Sequence, residues 1–393
     1  MKNIGTSAFG VKAPIIRPGD DLVEITVDCV LKAVKEGKIK LHDKDIVAVT
    51  EAVVAKSQGN FATVDDIAKV VKDKMGSGKI GVIFPILSRN RFSNILKGIA
   101  RGCDEIILQL SYPFDEVGNP LVSVDKLYSL GMTNFNKTFT AEQFYKLVGS
   151  IEHPFTGLDY IDAYKKICGD KCKIILSNDP TTILKYTKKV IAADIHSRKR
   201  NKDILLKRGG KVVITLDEIL NQSVDGSGFN EEFGVLGSNL STDEVLKLFP
   251  RDTKTFVNKL QKRLCEATGV KMECMVYGDG AFKDPVGGIW ELADPVVSPA
   301  YTSGLEGTPN EIKLKYVADN QIGDLKGKEA EEAIKKIIIE KSKDLKNQNI
   351  SLGTTPRRLT DLLGSLSDLT SGSGDKGTPI VLITGYFNNY ADE

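Results

Sequence analysis

Apolar and polar positions along the chain follow two periods. Leu22, Ile25, Cys29 and Ala33 recur at helical spacing behind Asp21 and Glu24, which are set as a capping box, and Gly37 closes the run; a helix is predicted over 21–36. Asp45 to Thr50 is apolar and β-branched, as a short buried strand is, and it runs into a segment that ends in polar residues and Gly59. A helix over 64–74 and a strand over 80–87 follow, so the opening is mixed α/β.

The texture changes between residues 88 and 206, which hold many aromatic and basic residues and two of the three histidines. This stretch reads as an inserted domain between a first core segment, 1–87, and a second, 207–393. In the second segment a strand is expected over 211–215, followed by the glycine-rich stretch 221–228. Ser241 and Glu244 have capping-box spacing ahead of a helical stretch to about Thr268, and Val270 to Tyr277 reads as a strand. Residues 281–309 look like loop, 310–320 and 327–343 like helices, and 380–384 like a last strand after the Gly/Ser-rich stretch 371–377.

Charge and composition narrow the function classes. Of 393 residues, 54 are Lys or Arg and 52 Asp or Glu; the net charge of +2 gives no global field for a polyanion, so nucleic acid is not an expected partner. No apolar stretch reaches the ~20 residues of a membrane helix, and the first residues lack the apolar run of a signal peptide. A cytoplasmic protein with six reduced cysteines is expected.

Two glycine patterns look like nucleotide loops and fail on context. Residues 76–81 spell G-x-G-x-x-G but follow a helix and open a strand, the reverse of a dinucleotide fingerprint. Residues 372–378 carry Thr378 where a phosphate-binding loop needs lysine. Cys168 and Cys172 with His153 and His196 have irregular spacing for zinc. More informative are Asp225 and Asp279, each set among glycines after an expected strand. Carboxylates suit a hard divalent cation, and glycines let backbone amides approach phosphate, although Asp-Gly is also a common turn. Arg89, Arg91 and Arg101 lie at the start of, or on, a helix over 91–101 and read first as a solvated basic face, with anion binding as the alternative.

Pro14 to Leu22 and Asp45 to Gly59 resemble the opening of the coenzyme F420-0:L-glutamate ligase (γ-glutamyl ligase) family, with its GDDL helix and D-V-V-V-V-T-x-K-I-V-S-K-A-E-G segment. Asn221 to Ser227 is similar to the family's N-A-G-V-D-x-S-N loop, Val276 to Lys283 to its I-S-D-T-F-G-R, and Gly377 to Ile383 to its final strand. The resemblance implies an α+β fold with a mixed-sheet core and an inserted second lobe. It implies a homodimeric, GTP-dependent ligase that uses Mg²⁺ or Mn²⁺ to join L-glutamate to a carboxylate of a small-molecule acceptor. It marks Asp225 and Asp279 as metal ligands, Lys56 and Lys283 as catalytic, and Pro14, Lys56, Gly226, Ser227, Gly278 and Gly280 as nucleotide-binding. Three positions depart from the pattern: Gly280 stands where the family has Thr, Lys283 where it has Arg, and Glu51 near a usual Gln or Lys. Another acceptor, such as a folate, and a non-catalytic nucleotide- or metal-binding protein are the competing expectations.

Overall fold

The computed structural model describes residues 4–153, 156–280, 293–351, 357–372 and 374–392. Its first sheet joins the two ends of the chain in the order Ser7–Val11, Ile380–Thr384, Ile46–Thr50, Glu273–Tyr277, Ala300–Tyr301. Only Ile46–Thr50 and Glu273–Tyr277 run parallel; the other neighbours are antiparallel, so the sheet is mixed. Its central strands are near-continuous apolar runs because both faces are covered. Val47, Val49, Cys274 and Val276 pack under the helices Leu22–Gly37 and Thr253–Thr268, while the alternate residues Ile46, Ala48, Met275 and Tyr277 pack under the helix Leu359–Ser371.

The helix Leu22–Gly37 starts as its sequence predicts, with the Asp21 carboxylate accepting the N–H groups of Val23 and Glu24 at 3.1 and 3.2 Å. Glu24 does not close the capping box. Its carboxylate accepts from Arg263 on the neighbouring helix at 2.6 and 3.0 Å.

A six-stranded sheet forms the second unit, in the order Phe139–Thr140, Cys172–Leu176, Glu105–Leu110, Lys79–Ile83, Lys189–Ala192, Val212–Thr215. All neighbours are parallel except the edge strand Phe139–Thr140. Taken in chain order, the five parallel strands lie third, second, first, fourth, fifth, the order of a doubly wound sheet. The helices Val64–Met75, Ser93–Arg101 and Tyr160–Cys168 cover one face, and the helix Arg198–Lys207 covers the other. Because Lys79–Ile83 and Val212–Thr215 belong to this sheet, the unit reaches beyond the expected 88–206 on both sides.

The expected helix from Ser241 begins only at Thr253. Asn239–Thr242 and Val245–Lys247 instead form an antiparallel pair that extends to Phe61–Thr63, because Leu246 is needed in the core and Glu244 is drawn to Lys97 and Arg101 at 2.5 and 2.7 Å. Among the described residues no helix is long and apolar enough to cross a membrane.

The packing of the helix Ser93–Arg101 on Val64–Met75 depends on Gly98, where a Cβ would lie 2.5 Å from Ile67 and 3.0 Å from the Val64 carbonyl. Gly98→Val is expected to lower stability by about 2 kcal/mol or more in urea unfolding, through overpacking. A change below about 0.5 kcal/mol, the scale of an ordinary surface substitution, contradicts this packing.

Candidate functional site

The parallel pair Ile46–Thr50 and Glu273–Tyr277 is in register at its carboxyl ends, Thr50 opposite Tyr277. The chain leaves these ends into Glu51 on one strand and Gly278-Asp279-Gly280 on the other, which brings two acidic residues to one edge of the sheet. Two more acidic side chains converge there from distant positions. Asp294 is 2 % exposed and accepts the Asp279 N–H on Oδ2 at 2.8 Å. Asp368, on the helix Leu359–Ser371, accepts the Gly280 N–H at 3.1 Å.

Glycine has a definite task at both positions. A Cβ on Gly278 would collide with the Asp294 carboxylate, and one on Gly280 would lie 2.9 Å from the Ser365 Cα. The close neighbours there are the Asp294 and Asp368 carboxylates and the backbone of the helix Leu359–Ser371.

Two cationic side chains meet this acidic group. Arg91 comes from the second unit, just before the helix Ser93–Arg101, and its guanidinium donates from Nη1 to Asp294 at 2.5 Å and from Nη2 to Asp279. It is therefore buried between two carboxylates, which corrects its reading as part of a solvated basic face. Burial alone would lower its pKa, but Asp294, Asp279 and Glu51 outweigh that and hold it above the ordinary arginine value. Lys247, on the strand Val245–Lys247, donates to both oxygens of Glu51 at 3.1 and 3.3 Å. Burial raises the Glu51 pKa, with Lys247 opposing, and burial also raises that of Asp368 against the Gly280 N–H. Four carboxylates thus share two cations among the described residues.

The other expected site residues lie elsewhere. Asp225 and Gly226 have φ of 50° and 84° and form a tight turn closed by Ser227 N–H to Val224 O at 2.8 Å. The Asp225 side chain is 67 % exposed and pairs with Lys69 at 2.5 Å. Ser227 spends its hydroxyl inside the turn, on Val224 and Gly228. Among the described residues no group of three His, Cys, Asp or Glu side chains has metal-holding geometry, at Cys168 and Cys172 or elsewhere. Lys56 is half-buried in the last turn of the helix Glu51–Ser57, and Pro14 is exposed beyond the strand Ser7–Val11. Lys283 lies outside the described residues. Arg101 pairs with Asp65 and Glu244 on the surface, at 2.9 and 2.7 Å.

Among known families the chain matches one described as F420-0:Gamma-glutamyl ligase, over residues 10–385, with the second unit inside the matched span. Comparison with curated proteins gives no match.

Arg91 is the countercharge that Asp294 relies on in its buried position. Arg91→Met should therefore cost about 3–5 kcal/mol in chemical denaturation, the penalty of leaving a buried charge uncompensated. A loss below about 1 kcal/mol, the worth of an exposed pair, contradicts that role.

Proposed function

The chain belongs to the F420-0:gamma-glutamyl ligase family, and on that premise we propose that it is a nucleotide- and divalent-metal-dependent amide ligase. In this reading it joins L-glutamate to a carboxylate of a phosphorylated small molecule of the coenzyme F420-0 type, with GTP as the phosphoryl donor. A homodimer in the cytoplasm belongs to the same reading. The observation that supports it is the convergence of Glu51, Asp279, Asp294 and Asp368 at the end of the parallel strand pair of the first sheet, where Arg91 and Lys247 are their cationic partners among the described residues.

Amide formation from a carboxylate and an amine in water is uphill, so the acceptor carboxylate must first be activated. One of its oxygens attacks the nucleotide γ-phosphorus, the bond to the β-γ bridging oxygen breaks, and the nucleoside diphosphate leaves an acyl phosphate. The glutamate amine then attacks the acyl carbon, and inorganic phosphate departs as the amide forms and the amine loses a proton. The carboxylates supply oxygen donors of the kind that Mg²⁺ or Mn²⁺ takes, one or two of them sufficing where phosphates and waters complete the shell. Asp279 and Asp294 would hold such an ion, which supplies charge neutralisation at the phosphoryl oxygens. Arg91 fixes the directions of both carboxylates, and Lys247 does the same for Glu51. Lys56 and Lys283 are assigned to phosphate neutralisation by resemblance. Asp225, in its exposed turn, enters this reading by resemblance alone.

With GTP, Mn²⁺, L-glutamate and F420-0, the protein is expected to release phosphate only when glutamate and acceptor are both present. Asp279→Asn should lower that rate by about 100-fold or more in a protein that still folds by circular dichroism, since Arg91 keeps Asp294 as its partner. Turnover near the wild-type rate in the variant overturns the assignment.

A further inference from the structure

The doubly wound sheet has its switch point between Lys79–Ile83 and Lys189–Ala192, the first and fourth parallel strands. Such sheets bind ligands in the crevice outside the carboxyl ends of the strands at this point. A cavity of about 550 Å³ opens there, and the residues leaving the two strand ends, Phe84 and Asp194, both line it. The site stands apart from the Asp279 group: Ala193 and Ile195 face a much smaller cavity beside Arg91, while Asp194 between them faces this one.

Three features make the cavity a built site. Its walls include four aromatic rings, from Phe84, Tyr112, Phe114 and Phe135. Phe114 is 49 % exposed, so its ring is open to a ligand from solvent. Phe84 holds a left-handed backbone, φ 54°, which a bulky residue rarely adopts. Most telling is Asp194, which is 1 % exposed: Oδ2 accepts from Asn201 at 3.1 Å, while Oδ1 is buried with no hydrogen-bond partner. A buried carboxylate oxygen without a donor is costly to keep, and a ligand that brings a donor to it removes the cost. Glu116 fixes the loop that carries Asp194 by accepting the N–H groups of Ile195 and His196 at 2.8 and 2.9 Å. Burial, reinforced by the Glu116 charge, pushes the Asp194 pKa up to about 7. Among the charged residues lining the cavity, Asp115, Glu116 and Asp194 outnumber Arg200, which favours N–H donors over an anion.

We propose that this cavity is a second small-molecule site that takes a planar nitrogen heterocycle, its ring held among Phe84, Tyr112, Phe114 and Phe135 and a ring or exocyclic N–H donated to Asp194 Oδ1. The site is independent of the ligase reading, because none of its residues belongs to the Asp279 group.

Isothermal titration calorimetry on the full chain with adenosine, guanosine and riboflavin, each planar and bearing N–H donors without phosphate, tests this. At least one is expected to bind with one site per chain. Asp194→Asn, which keeps the side-chain volume, and Phe114→Ala, at an exposed ring, should each weaken binding by about ten-fold. Asp279→Asn should leave it unchanged, so failure here and failure of the ligase assignment are distinguishable. The proposal is overturned if none of the three binds at millimolar concentration, or if binding is indifferent to both cavity variants.

Discussion

The guanidinium of Arg91 carries a buried charge from one unit of this protein into the acidic group of the other. It leaves the second unit just before the helix Ser93–Arg101 and ends between Asp279 and Asp294, at the edge of the first sheet. Asp294 in turn accepts the Asp279 N–H, so one cation organises two carboxylates and a strand end. Because the three groups are largely removed from water, their attraction is only weakly screened, and loss of one charge leaves the others exposed to the full cost of burial. The geometry of the acidic group, and with it any chemistry it performs, depends on this contact.

The same constraint explains the local sequence. Gly278 and Gly280 flank Asp279 because Asp294 and the helix Leu359–Ser371 press against the backbone on either side. The glycines of the turn at Asp225 serve a different end, since Gly226 faces open space and supplies only a positive φ. Two Asp-Gly pairs that look alike in sequence therefore have opposite characters: one sits in a crowded, largely buried acidic group and the other in a solvated turn.

Three of the five strands of the flanking core were legible because they are near-continuous apolar runs, and its first helix carries its own start signal, Asp21; Ser7–Val11 and the two-residue strand Ala300–Tyr301 lack such a run. The helix Leu359–Ser371 was missed; its run of Ser, Thr, Gly and Asp weakens helical patterning, and its place under the sheet rests on Leu363 and its neighbours. The parallel strands between 88 and 206 were hidden among aromatic and basic residues, and the unit's first strand had been assigned to the flanking core. Asp279 was marked by its motif. Asp294, Asp368 and Lys247 carry no local signal, since each becomes part of the site only through folding that joins positions far apart in sequence. Arg91 was noticed for its charge and misplaced on the surface because its two partners lie about 200 residues away.

The central claim is that the carboxylates around Asp279 act as one chemical unit, with Asp294 as an equal member although no sequence pattern points to it. The direct measurement is glutamate-dependent phosphate release from GTP by Asp294→Asn, with far-ultraviolet circular dichroism as the check on folding. The account predicts a folded protein that has lost turnover by about 100-fold or more. A folded variant with wild-type turnover contradicts it.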